Sequence, residues 1–61
     1  MKIYYQTKHD LLHITFRENK QIRNERYNDD IVFDVDGNGK VVGMEILDAT
    51  EYLNLEDLLS V

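Results

Sequence analysis

Residues 31–46 constrain this chain more than any other stretch. Ile31, Phe33 and Val35 alternate with Val32, Asp34 and Asp36. After Asp36-Gly37-Asn38-Gly39 the chain resumes with Val42, Met44 and Ile46 on one parity. A period of two marks a strand with one buried face. Asn-Gly between two such runs signals a hairpin, because a type I′ turn needs positive φ at both central positions. A loop of Asn38-Gly39 sets Val35 opposite Val42, Phe33 opposite Met44 and Ile31 opposite Ile46. A loop one residue different pairs Ile31 with Glu45 and mixes the two faces, so that register is disfavoured. Gly43 then falls opposite Asp34 on the other face, a position suited to a bulge or a close backbone approach.

The flanking segments extend this pattern. Lys2 to Tyr5 reads as a first strand, and adjacent Tyr4 and Tyr5 must point to opposite faces. Leu12, Ile14 and Phe16 alternate with His13, Thr15 and Arg17, which predicts a second strand. Gln21 to Tyr27 holds Ile22 and Tyr27 among charges and fits an irregular edge strand, where charge discourages aggregation. From Asp48 the period changes to helical, with Ala49, Tyr52, Leu53, Leu55, Leu58 and Leu59 on the apolar side. Asp48 with Glu51 resembles a capping box, and Asn54 with Asp57 offers a second start, so one helix or two short ones are expected. The expected class is α+β, an antiparallel β-meander of four to five strands followed by a C-terminal helix. Strands fall within 2–47 and the helix within 48–60, in a single domain spanning 1–61.

With 61 residues the core is small and a staple is usually needed. The chain has no Cys, which excludes disulfides and thiolate metal sites. Only His9 and His13 offer imidazole, too few for a closed zinc site. Oligomerisation or oxygen-ligated calcium remain as staples. No run is long and apolar enough for a membrane span or a signal peptide, and a cytoplasmic location is expected. The net charge of −5 argues against binding to a phosphate backbone. Nine acids and only Lys40 lie from Asn28 onward, whereas Lys2, Lys8, Arg17, Lys20, Arg23 and Arg26 lie before it. The halves either neutralise each other in the fold or present an acidic face to a basic partner.

The most specific local match to a chemical site runs from Asp34 to Glu45. Asp34, Asp36, Asn38, Gly39, Val41 and Glu45 occupy positions one, three, five, six, eight and twelve of a calcium loop. Such a loop needs a helix on each side, and here strands flank it, so the turn's own backbone needs explain these residues better. His13 faces away from Leu12 and Ile14 and reads as an exposed strand histidine. Ser60, Thr7, Thr15 and Thr50 lie in no motif that would activate a hydroxyl, and Glu25, Asp29 and Asp30 read as solvated turn acids. No glycine-rich loop opens a helix to hold phosphate. No enzyme, cofactor or resident metal is expected.

Three stretches resemble the domain of unknown function 2283 family of small bacterial and phage proteins. They are Lys2-Ile3 to Tyr5 with Asp10 and Leu12-His13-Ile14, then Ile31 to Asp36 with Gly39, then Val41-Val42-Gly43 with Glu45-Ile46-Leu47-Asp48-Ala49. Gln6 and His13 depart from the usual acid and Tyr. The resemblance covers roughly residues 2 to 50 and implies a β-meander with a following helix. It implies no established activity; an antitoxin or inhibitor role is what it suggests.

The expected function is a small acidic protein-binding module, of the antitoxin or phage-inhibitor type, with a basic toxin or nuclease as the kind of partner. Four Leu within residues 53–59 exceed what a small sheet covers. Binding is therefore placed on Tyr52, Leu55, Leu58 and Leu59, with Glu51, Glu56 and Asp57 as rim charges. The alternatives are a structural homodimer or higher oligomer using the same leucines, and a calcium domain through Asp34, Asp36, Asn38 and Glu45.

Overall fold

The computed structural model describes residues 1–59, with side chains through Asp57. Five strands form one antiparallel sheet: β1 (Lys2–Gln6), β2 (Leu11–Thr15), β3 (Arg23–Arg26), β4 (Ile31–Val35) and β5 (Val41–Ile46). The sheet order is β1-β2-β5-β4-β3. The β3-β4-β5 run is a meander, and the β1-β2 hairpin joins it through pairing of β2 with β5. Residues 16–22 connect β2 to the far edge. They must cover three strand spacings, roughly 14 Å, which seven residues reach with slack.

A 3-10 turn, η1 (Ala49–Glu51), and a five-residue helix, α1 (Leu55–Leu59), follow the sheet. The chain is thus mostly β, with far less helix than the periodicity from Asp48 suggests. Two short pieces form because Asn54 turns the chain between them, its Oδ1 accepting the Glu56 amide at 3.0 Å. Ending one helix and starting another in this way is what Asn does well. The Asp48–Glu51 capping box does not form. Asp48 sits in the left-handed region at φ 53°, and its side chain makes no cap hydrogen bond.

The cap comes from elsewhere. Asp10, at φ 50° in the β1–β2 turn, reaches the start of η1 with both its backbone and its side chain. Its carbonyl accepts the Ala49 amide at 2.9 Å. Its carboxylate accepts the Thr50 amide at 3.2 Å and the Thr50 hydroxyl at 2.7 Å. It also accepts the Tyr5 hydroxyl at 2.7 Å. These hydrogen bonds from Thr50 and Tyr5 hold the Asp10 carboxyl below its ordinary value.

Cross-strand register sorts the side chains onto two faces. On the first, Tyr5, Leu12, Ile46 and Ile31 form one row, and Ile3, Ile14, Met44 and Phe33 the next. Leu12, Ile46 and Ala49 are the buried centre, with Tyr5, Ile14, Ile31, Met44 and Leu53 packed against them. The tail therefore works as a lid on one end of this face, contributing Ala49 and Leu53 to the core. Tyr4, as adjacency to Tyr5 requires, points the other way and is exposed.

The β4–β5 hairpin pairs Ile31 with Ile46, Phe33 with Met44 and Asp34 with Gly43, as the alternation requires. Nearer the tip it differs from a two-residue turn. The Asp36 amide donates to the Lys40 carbonyl at 2.9 Å, and the Gly39 amide to the Asp36 carbonyl at 3.1 Å. The loop is Gly37-Asn38-Gly39, a turn followed by one left-handed residue, with Gly39 at φ 84°. Asn38 does not have positive φ, so the type I′ expectation gives way to this three-residue form. The longer loop pairs Val35 with Val41 in place of Val42. A bulge at Asp34/Val35 then absorbs the extra residue, Val42, and restores the facing of everything beyond it. On the β2 side of the strand the Val42 carbonyl accepts the amides of Phe16 and Arg17 at 2.8 and 3.1 Å.

Candidate functional site

Two surfaces carry functional potential, one on each face of the sheet. The first is the end of the apolar face that the tail leaves open. Its row Ile3–Ile14–Met44–Phe33 contains no fully buried member, and Ile3 is 37% exposed. Tyr27 packs edge-on against Phe33, with ring centroids 5.9 Å apart, and is itself 70% exposed. Phe16, just past β2, is also exposed. Beside these, Glu25 closes the row at the β3 edge and pairs with Arg23.

The tail residues expected to bind a partner are distributed unevenly. Tyr52 is half-exposed, and its hydroxyl donates to Asp30. That bond, reinforced by partial desolvation and nearby acids, pushes the phenol up to about 12. Leu55 is half-buried, and Glu51, Glu56 and Asp57 are exposed. The side chains of Leu58 and Leu59 lie outside the described residues. Of the leucines thought surplus, Leu53 belongs to the core.

The second surface is polar and lies on the opposite face. Asp34 is buried at 4% exposure. Its Oδ1 accepts the Asn24 side-chain amide at 2.7 Å, and its Oδ2 lies 2.8 Å from His13 Nε2. His13 belongs to β2, two strands away from β4, so the carboxylate must cross over β5. Gly43 makes this possible. A Cβ there would lie 2.8 Å from both Asp34 Oδ2 and the Ile14 carbonyl. Glu45, paired with His13 across the β2–β5 ladder, brings a second carboxylate to the group. One ligand atom from each of His13, Asp34 and Glu45 fits within 4.8 Å of the others. A shallow cavity of about 220 Å³ adjoins the pair, lined by His13, Thr15, Arg17, Ile22, Asp34 and Val42 among others.

His13 is therefore not a free strand histidine. Its partner, twenty-one positions on, was out of view in the sequence because only β2–β5 pairing brings β2 beside the hairpin that carries Asp34. The one local signal was Gly43 opposite Asp34, which marks the close approach but not what approaches.

The calcium spacing is divided between two tasks. Asp36 Oδ1 accepts the amides of Asn38 at 2.8 Å and Lys40 at 3.0 Å, fixing the hairpin tip. These amides, that of Lys40 foremost, hold its carboxyl below the ordinary value. Asp34 and Glu45 meet His13 on the sheet instead, and Asn38 is exposed at the tip. The geometry does not bring the four around one point.

The arrangement defines a class: a small, mostly β domain with one half-covered apolar face and a polar cluster on the other. The chain matches the family described as protein of unknown function (DUF2283) over residues 2–49, and it belongs to that family. No curated protein and no solved structure matches it. Among the described residues no helix is long and apolar enough to cross a membrane.

Proposed function

We propose that the chain is a protein-binding module whose contact surface is the open apolar end of the sheet together with the adjoining tail. The observation that supports this is the exposure of Ile3, Phe16 and Tyr27 around a row that includes Phe33 and Met44. A small domain gains most by burying such residues, and a contiguous patch of this kind marks an interaction site. Tyr27 and Tyr52 add the amphipathic rings that interfaces favour. Acids concentrated from Asn28 onward favour a basic partner by steering its approach. An antitoxin or inhibitor of a basic toxin or nuclease is the form of this function that the charge fits.

Two variants test the reading, Tyr27→Glu with Phe16→Glu on the sheet and Leu55→Glu on the tail, each checked for folding by circular dichroism. Affinity capture from the native host is expected to hold one stoichiometric partner with the unaltered chain and to lose it with the sheet variant. Retention by the sheet variant would move the contact elsewhere. Sedimentation at micromolar concentration separates the alternative, in which a second copy of this chain covers the same face.

A further inference from the structure

We propose that His13, Asp34 and Glu45 form an open binding site for a divalent transition metal of the zinc type, on the sheet face opposite the apolar one. The donor set is one imidazole nitrogen and two carboxylate oxygens, from β2, β4 and β5, gathered within 4.8 Å. Zinc takes nitrogen and carboxylate donors at about 2.0–2.2 Å, and three protein ligands plus water make an open tetrahedral site. Calcium prefers six to eight oxygens and gains little from an imidazole.

Three further features of the cluster favour an ion. Asp34 is oriented from behind, since Asn24 occupies Oδ1 and leaves Oδ2 directed at His13. Outer hydrogen bonds of this kind fix metal-binding carboxylates in place. Gly43 clears the space over β5 through which the Asp34 carboxylate reaches the cluster, and any side chain there would close it. Glu45 is half-buried and close to a second carboxylate, and its own carboxylate engages in no hydrogen bond or ion pair among the described residues. Two carboxylates drawn together repel unless a cation lies between them.

The approach requires little movement. Ligands of a tetrahedral zinc ion sit about 3.3 Å apart, given bonds near 2.0 Å. His13 Nε2 and Asp34 Oδ2 are at 2.8 Å, so the ring swings outward by roughly half an ångström. The His13 side chain is 36% exposed, which leaves it room to do so and gives the ion a route in. With Nε2 as the donor in its contact with Oδ2, the metal takes that proton's place. From a neutral ring that proton returns to Nδ1 through solvent, and from an imidazolium one proton leaves to bulk. No redox change is involved.

Isothermal titration of the metal-free protein with zinc chloride at neutral pH tests the site. The expected result is one ion per chain, a raised melting temperature, and a shift of the His13 ring nitrogens by NMR. Cobalt is expected to bind at the same stoichiometry with the intense visible absorption of a tetrahedral complex. Glu45→Gln, which removes no side-chain bond found among the described residues, is expected to weaken zinc at least about tenfold, as is His13→Ala. His9→Ala is expected to bind like the unaltered chain and serves as the control. Absence of one-to-one zinc binding, binding unchanged in both Glu45→Gln and His13→Ala, or calcium binding as tightly as zinc would each overturn the proposal. The first of these leaves His13 as a hydrogen-bond partner of Asp34 and nothing more.

Discussion

Asp10 caps the turn that begins at Ala49, accepting both the amide and the hydroxyl of Thr50 across forty residues of sequence. The tail is held to the sheet at its start by the Asp10 side chain and carbonyl and by buried Ala49, and further on by Tyr52 on Asp30 and by Leu53 packing. Asp10→Asn is therefore expected to lower the melting temperature and to loosen residues 49–57 first, seen as faster amide exchange there. The pH dependence has a definite sign. The folded Asp10 carboxyl lies below its ordinary 3.8, so its contribution is full above that value and fades as pH falls through the lower folded one. The melting difference between the unaltered chain and Asp10→Asn is expected to be flat near neutrality and to shrink in acid.

Gly43→Ala is expected to destabilise by about 1–3 kcal/mol in chemical denaturation, because the new methyl meets a backbone carbonyl as well as a carboxylate. The same substitution should displace Asp34 from His13. A His13 ring signal unchanged in the variant would show that the carboxylate crosses β5 by another route.

The two tip glycines should behave oppositely. Gly39 has φ 84°, so Gly39→Ala is expected to cost about 1–2 kcal/mol. A methyl group at Gly37 would meet nothing within 4 Å, and its φ is not positive. Gly37→Ala is expected to be neutral or to stabilise by at most about 1 kcal/mol. Paired urea melts decide this, and equal losses in both would contradict the three-residue loop.

Leu12 is wholly buried at the centre of the core. Leu12→Ala is expected to cost about 2–5 kcal/mol. A domain of this length has a total stability of only about 3–9 kcal/mol, so the variant should be partly or wholly unfolded at 37 °C. A cooperative melt close to that of the unaltered chain would place the core elsewhere.

At the alkaline end Tyr52 is the group to follow. Its phenol is pushed up to about 12 by the Asp30 carboxylate. A raised folded value gives stability that is present below the ordinary 10 and lost as pH rises through 12. The Asp10 carboxylate raises Tyr5 as well, so ultraviolet titration should show more than one late tyrosine, and Tyr52→Phe should remove the latest step.

The strands were legible because their apolar residues alternate, and even the charged segment around Arg23–Arg26 was readable as an edge. Facing in the hairpin was legible too, since Ile31, Phe33, Met44 and Ile46 admit only one arrangement. The strand order was not. Nothing local to Leu12-His13-Ile14 says that it pairs with β5, and that pairing creates the His13–Glu45 proximity on which the polar cluster depends. The extent of helix was overstated because periodic leucines report burial on one side, not continuity. Asn54 and the left-handed Asp48 break the run where the spacing alone carries on. Asp48 with Glu51 matched a capping pattern, yet the cap came from Asp10, a residue that no window around the helix contains.

The bulge at Val42 and the three-residue tip form a matched pair of insertions. Each alone would turn Glu45 toward the apolar core and Ile46 toward water, and together they cancel. The hairpin thus behaves like a reading frame with two compensating shifts. Shortening the tip by one residue is tolerable only if the bulge is removed as well. The same stretch of β5 carries the Val42 carbonyl that holds the Phe16 and Arg17 amides, so an uncompensated slip would also strain the crossing segment that leads to β3.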